Sequence, residues 1–350
     1  MTPLQINYPV SVAILYADGD SEDLKDTRET VEQVTNALQN RGHIVRSTRV
    51  MAKNWRKEIR IPGQVVFNMA EDSEWDLYMK IGIALERMGR AQVGHDRHTF
   101  DYVINKERLK NRLQKLGLPT PQFRVFNRRS KLRQIRGLEY PLMVKPVKQH
   151  AGIGISQDSV VIDEKELVDR VKYLFANFPS EVLAEEFVDG KEVDVTLLGN
   201  GKHVVALPIT ELKFTGEFKD NWNIYDYEAK WEDSSWKYWN VKLHSPALLD
   251  SKLERKLVIL GKQTFSWLEC RDFIRLDVRL DEKDRPFIVD VNMNPSLAMH
   301  ELEATWRSAN ALGWSYEDLI ETIVAITYKR VYGKLPDRIR ERQLLLSSAE

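Results

Sequence analysis

The most constraining feature of this chain is a pair of short apolar segments near its C-terminal end, Ile274 to Asp281 and Phe287 to Val291, joined across Glu282 to Pro286. Polar residues interrupt both segments at alternate positions. Arg275 and Asp277 stand two apart on the first, and Asp290 and Asn292 two apart on the second and its continuation, before Met293-Asn294-Pro295. In an extended chain, residues two apart face the same side. If the two segments pair as a hairpin, two carboxylates and a carboxamide oxygen converge beside a guanidinium, while Ile274, Leu276, Ile288 and Val289 supply apolar partners. Any one Asp alone would read as a solvated position on a half-exposed hairpin. The whole stripe reads as a site for Mg²⁺ or Mn²⁺, hard cations that take oxygen ligands, and Mg²⁺ usually completes its shell with water and phosphate oxygens.

A length of 350 residues exceeds what one hydrophobic core usually supports and predicts two or three packed domains. Lys plus Arg and Asp plus Glu each number 52, so no basic excess invites nucleic acid or an anionic membrane surface. The longest apolar runs, such as Val10 to Tyr16, fall well short of the roughly 18 residues of a membrane span. The N-terminal stretch lacks a basic segment ahead of its apolar run and a small-residue cleavage site behind it, so a cytoplasmic location is expected. Cys270 is the single cysteine, which excludes an internal disulfide; without a motif around it, it reads as a small buried apolar residue.

Along the chain, Val10 to Tyr16 reads as a buried strand, Asp23 to Gln39 as an amphipathic helix, Gln64 to Asn68 as a strand and Glu74 to Met88 as a helix. This alternation predicts a three-layer α/β domain with a largely parallel sheet over residues 1–100. A charged helix from Asn105 to Leu116 opens a second, α+β unit over residues 101–188, with strands at Gln122 to Phe126, Tyr140 to Val147, Ile153 to Ile162 and Val182 to Phe187, and a helix at Glu164 to Asn177. Residues 189–335 form a third unit. It pairs Lys191 to Leu198 with His203 to Leu207, passes through an irregular stretch from Thr210 to Ser245, and adds helices at Ser251 to Leu268 and Ser315 to Val331. The charged tail, 336–350, reads as flexible.

Two further segments carry chemistry. Lys145 closes the apolar strand Pro141-Leu-Met-Val-Lys-Pro146 just before a loop holding Gly152 and Gly154, an arrangement able to bend backbone amides and a point charge over phosphates. The strand Val182-Leu-Ala-Glu185-Glu186-Phe187-Val188 leads to Glu192, where backbone between Glu186 and Val188 suits an adenine edge and Glu192 suits ribose hydroxyls. Lys230 lies in the aromatic segment Tyr225-Asp-Tyr-Glu-Ala-Lys-Trp231.

The order of these pieces, Asn105-Lys106-Glu-Arg-Leu-Lys110, Gly117-Leu-Pro-Thr-Pro121, Val144-Lys145-Pro146, Glu185 to Glu192, Tyr225 to Trp231 and Arg275 to Pro295, resembles the D-alanine–D-alanine ligase-like branch of the ATP-grasp superfamily. The resemblance implies an ATP-grasp fold: an N-terminal Rossmann-like domain, then two α+β lobes enclosing ATP. It implies that Lys106, Lys145, Gly152 and Gly154 hold phosphates and that Glu185, Glu186, Phe187, Val188 and Glu192 bind adenosine. Lys230 would reach the γ-phosphate, Asp277, Asp290 and Asn292 would hold Mg²⁺, and Arg275 with Lys230 would serve catalysis. Asp290 stands where many members carry Glu. The implied reaction phosphorylates a substrate oxygen, giving an acyl phosphate that an amine then attacks. Its partners are an amino acid and a second small molecule, and relatives of this kind are often homodimers.

The departures concentrate in the substrate positions: Glu71 where such ligases carry His, Ala151 and Glu301 where they carry Ser, Trp231 where they carry Tyr, and Ser296 where they carry Gly. The expectation is a ligase whose main product is not D-alanyl-D-alanine. One reading of such a pocket is the mycosporine-glycine type of ligase, which joins an amino acid to a cyclohexenone carbonyl. The tryptophans and tyrosines from Trp222 to Trp239 would line a pocket for a ring or pack as a lid. A kinase that releases its phosphorylated substrate, and a non-catalytic nucleotide-binding module, are the competing readings; the second leaves Arg275, Asp277, Asp290 and Asn292 without a purpose.

Overall fold

The structure is a computed structural model, and it describes residues 1–6, 9–71, 76–132 and 137–335. The expected tail, 336–350, and the start of the helix expected from Glu74 lie outside the described residues. From the N-terminus, β1 (Ser11–Tyr16), α1 (Glu22–Asn40), β2 (Ile44–Arg49), α2 (Trp55–Glu58), β3 (Val65–Met69), α3 (Asp76–Arg87) and β4 (Ala91–Gln92) build a parallel sheet in the order β2-β1-β3-β4. The apolar run Val12-Ala-Ile-Leu15 has no polar alternation because both faces of β1 are covered. Val12 and Ile14 pack toward α1, and Ala13 and Leu15 pack against Trp55, Ile59, Leu77 and Ile81 of the α2 and α3 side. β2 escaped the sequence reading because this edge strand leaves most of its side chains exposed and so lacks an apolar signature.

Next come α4 (Arg97–Val103) and α5 (Lys106–Lys115), each started by a side-chain cap: Asp96 accepts from the Thr99 amide and Asn105 from the Arg108 amide. β5 (Phe123–Phe126), β6 (Leu142–Pro146), β7 (Val160–Val161), α6 (Glu164–Asn177) and β8 (Val182–Glu186) follow, and their antiparallel sheet runs β5-β8-β6-β7. The strand expected over Ile153 to Ile162 shrinks to the two residues of β7. Ala151, Gly152 and Gly154 have φ of 53°, 79° and 77°, so the chain there turns instead of extending, and a 3₁₀ turn at Gln157–Ser159 fills the rest.

The last part comprises β9 (Lys191–Asn200), β10 (His203–Ala206), β11 (Thr210–Phe214), α7 (Tyr227–Trp231), α8 (Trp236–Asn240), β12 (Val241–His244), α9 (Ser251–Trp267), β13 (Asp272–Leu280), β14 (Pro286–Asn292), α10 (Ala304–Asn310) and α11 (Tyr316–Tyr332). Its sheet runs β12-β11-β9-β13-β14, with β10 also on β9. The stretch expected to be irregular, 210–245, therefore contributes two strands and two short helices. Helix α11 packs back onto α1 and the first sheet through Leu319, Ile320, Ile323 and Val324, so the C-terminal end of the chain completes the N-terminal core.

Candidate active site

The three sheets face a single cavity of about 750 Å³, lined by α1, the loop after β6, the end of β8, α7 and the polar faces of β13 and β14. The register explains the lining. β13 lies between β9 and β14, and the side chains of its alternate residues meet partners on both: Arg279 opposite Glu192, Asp277 between Asp194 and Asp290, and Arg275 between Thr196 and Asn292. Three rungs of a polar ladder thus share one face, while Ile274, Leu276 and Val278 turn into the core on the other.

The middle rung is a carboxylate cluster under electrostatic control. Arg275 Nε donates to Asp277 Oδ1 at 2.9 Å, and Asn292 Nδ2 donates to both Asp277 oxygens at 2.9 Å. Burial would raise the Asp290 pKa, but Lys106, whose Nζ lies 3.5 Å from Asp290 Oδ2, and Lys145 outweigh burial and hold it below the usual carboxylate range. Asp194 behaves oppositely: burial, Asp277 and Glu192 push its pKa well up against the opposing pull of Arg275. The donor set fits Mg²⁺. Asp277 and Asp290 face each other across the strand pair, and a half-turn of the Asn292 carboxamide presents its oxygen. Among the described residues no group of three or more Asp, Glu, His or Cys is arranged to hold a metal, so a cation here depends on Asn292 and on phosphate oxygens.

Next to the ladder lies a buried cationic set. Lys145 Nζ pairs with Glu185 Oε1 at 2.6 Å, and Lys110 pairs with the other Glu185 oxygen while donating to Thr120 Oγ1 at 3.0 Å. Burial works against ionisation of Glu185, yet the two ammonium groups hold its pKa below normal. Lys106 donates to the Gln149 carbonyl at 2.8 Å, fastening the base of the glycine loop. Higher on that loop, Trp231 Nε1 donates to the Ala151 carbonyl at 3.0 Å, and a Cβ on Gly152 would come within 3.1 Å of the Tyr227 amide nitrogen. The loop is therefore packed against α7. Lys230 sits 4.8 Å from the Tyr225 ring centroid at the same end.

The segment after β8 forms another wall. The Glu186 and Phe187 amides are spent on the Gln122 and Pro141 carbonyls, which leaves the Val188 amide without a partner among the described residues. Arg279 organises this wall: it donates to the Val188 carbonyl at 2.7 Å and to Glu192 Oε2 at 2.9 Å, and stacks 4.8 Å over the Phe187 ring.

The far end, between α1 and β14, is acidic. Asn294 Nδ2 donates to Glu71, whose pKa burial still pushes up to about 8. Asp26 on α1 rises to about 7 through burial and the nearby Glu303, Glu29 and Asp23. Ser296 also lines this end, its hydroxyl accepting from the Ala298 amide at 3.1 Å.

Of the catalytic, nucleotide, metal and substrate positions expected from the sequence, all but two line this cavity. Gly154 lies outside it, where a Cβ would come within 2.9 Å of Pro146 Cγ, so its glycine serves the turn. Glu301 is exposed and outside the lining, and Glu303, two residues on, faces the cavity instead. The aromatic run divides: Tyr225, Trp231 and Tyr238 line the cavity, Trp236 packs edge-on against Phe218, and Trp239 is 61% exposed. Sequence reasoning missed Asp194, Arg279, Lys110, Asp26 and Glu303. The first two were signalled by the period of two through Glu192 and Asp277, whereas Asp26 and Glu303 reach the site only by tertiary packing.

Known proteins resemble this chain in sequence and in fold. Residues 113–325 match the family described as D-ala D-ala ligase C-terminus. The chain is 30% identical to the uncharacterized protein y4sG of Sinorhizobium fredii over 77% of this chain and 76% of that one. It is 31% identical to D-alanine–D-alanine ligase of Bordetella pertussis over 69% and 72% of the two chains. Among solved structures, D-alanine–D-alanine ligase from Bacillus anthracis complexed with ATP superposes with a TM-score of 0.75 at 17% identity, covering 93% of this chain and 99% of that one. The VanG D-Ala:D-Ser ligase of Enterococcus faecalis gives 0.74 at 18% identity, covering 91% and 100%. This chain belongs to the D-alanine–D-alanine ligase-like branch of the ATP-grasp enzymes, ADP-forming ligases that use ATP and Mg²⁺.

Proposed function

We propose that the chain phosphorylates an oxygen of one small substrate and couples that substrate to the amine of an amino acid, in a pocket that no longer favours D-alanine. The observation that carries this reading is the polar ladder of β9, β13 and β14 opening beside Lys106 and Lys145 in the same cavity. In this reading Asp277, Asp290 and Asn292 hold Mg²⁺, and Lys106, Lys145, Lys230 and the Gly152 loop hold phosphates. The Val188 amide and Glu192, positioned by Arg279, take adenosine. ATP supplies the phosphoryl group when bound, and Mg²⁺ offsets its charge.

Arg275 keeps a delocalised, permanently charged fork beside the place where negative charge develops, and Asp277 fixes its orientation. Trp231 ties the loop to α7 and shields the centre from water. The case for an altered pocket is electrostatic. Glu71 puts a carboxyl group where ligases of the D-alanine type carry His, and burial with its acidic neighbours raises Glu71 to about 8 and Asp26 to about 7, so this end holds protons that an incoming cation can replace.

ADP release, measured with ATP and Mg²⁺ against paired amino acids and carbonyl compounds, mycosporine-glycine included, tests this reading. Release that depends on an amino acid other than D-alanine is expected. Efficient D-alanine-dependent release would overturn the altered pocket, and no release with any pair would overturn the ligase role.

A further inference from the structure

We infer that the acidic end of the cavity, between α1 and Glu71, receives the second positive charge of a dicationic acceptor, either a diamine or an amino acid with a basic side chain. The helical period places Asp23, Asp26 and Thr30 on one face of α1, and all three line the cavity. Glu71 stands at the end of β3 and Glu303 just before α10, so carboxylates approach this end from three separate elements.

Of the wall's cations, Arg275 and Lys230 act on Glu303, and among the described residues none pairs with Asp26 or Glu71. Lys25 pairs with Glu22 at 2.6 Å, and Arg275 is directed to Asp277 at 2.9 Å with Glu303 only at 4.0 Å. Among the described residues the one polar partner that the structure gives Glu71 is the Asn294 amide.

A second and independent observation points to a ligand at the same place. Thr30 is 2% exposed and lines the cavity, yet among the described residues its hydroxyl has no hydrogen-bond partner. Buried hydroxyls are nearly always satisfied. A hydroxyl acceptor one turn from Asp26 is the complement an ammonium group needs beyond carboxylates.

Burial and mutual repulsion raise Glu71 to about 8 and Asp26 to about 7, so near neutral pH these groups hold protons that a bound ammonium can displace. A neutral amino acid brings no net charge to this end, whereas a dication leaves one positive charge to spend there while its other amine serves the coupling. The inference rests on the proposed ligase role only for calling the ligand an acceptor; its binding is testable alone.

Isothermal titration of 1,4-diaminobutane, lysine and alanine into the full chain saturated with ADP and Mg²⁺ is the test. Diaminobutane and lysine are expected to bind at least tenfold more tightly than alanine, and Asp26→Asn and Glu71→Gln each to weaken diaminobutane binding about tenfold. An ADP affinity equal to that of the unsubstituted chain shows that each variant is folded. Alanine binding as tightly as lysine, no binding of either dication, or variants that bind diaminobutane undiminished would overturn the inference. Dications that bind without any condensed product in the coupling assay would sink the ligase role and leave this site standing.

Discussion

Asp290 is ionised because two ammonium groups outweigh the cost of its burial, and this makes its charge the most consequential in the cavity. Asp290→Asn removes that charge at constant volume and takes from Lys106 its ion-pair partner, while Lys145 keeps Glu185. ADP release is expected to fall at least a hundredfold, a loss in the range of removing one preorganised charge contact, with a melting temperature within a few degrees of the unsubstituted chain. Retained turnover would remove Asp290 from the metal site. Arg275→Lys keeps the charge but loses the planar fork aimed at Asp277, so kcat is expected to drop while nucleotide affinity measured by titration holds. Glu71 makes the pH prediction. Its pKa, raised to about 8 from 4.5, means that the folded state holds the proton more tightly, so its stabilising effect is complete below about pH 4.5 and is lost as pH rises toward 8. Denaturant midpoints of Glu71→Gln across that range should therefore decline less with pH than those of the unsubstituted chain; equal slopes would contradict the assignment. The ladder residues were legible because a period of two is written into the sequence. Asp26 was not, since on α1 it is one acidic residue among several and only packing turns it toward Glu71.

At the scale of elements, a buried carboxylate at the start of β13 ties three other parts of the chain to that strand. Asp272 is fully buried and accepts from the Gly94 amide at 2.9 Å, Asn200 Nδ2 at 2.9 Å, Thr327 Oγ1 at 2.9 Å and the Arg330 guanidinium at 2.7 and 2.8 Å. It thereby joins the loop after β4, the end of β9 and helix α11. Asp272→Asn leaves the Arg330 charge without its partner and is expected to cost about 3 kcal/mol of stability, read from urea unfolding. A loss below about 1 kcal/mol would show that these elements are held by their apolar contacts alone. Elements with a strong apolar period, such as β1, α1, α6, α9 and α11, were legible to within a few residues. β2 and α10 were not. β2 is exposed on its edge, and α10 is too short for a period to emerge. The loop over Lys148 to Gly152 was legible from its glycine, but Ile153 to Ile162 was misread as one strand, because the positive φ of Gly154 and the turn at Gln157–Ser159 leave only Val160–Val161 extended.

For the whole molecule, the parallel sheet and the two antiparallel sheets followed from the order of apolar segments, and the gathering of Asp277, Asp290 and Asn292 with Lys106 and Lys145 in one cavity from motif order. The acidic end did not, because it is assembled from α1, the end of β3 and the approach to α10, which lie far apart in sequence. In the proposed reading, its carboxyl groups move substrate choice away from D-alanine while the nucleotide end is kept. A phosphorylating enzyme, a coupling enzyme and a nucleotide sensor share that nucleotide end and differ in what leaves the cavity. The deciding measurement is the mass of the product formed with ATP, Mg²⁺ and the substrate pair that drives ADP release. One condensed product per ADP, heavier than the acceptor by the donor less the elements of water, is expected; a phosphorylated substrate with no condensed mass would contradict the coupling of an amine.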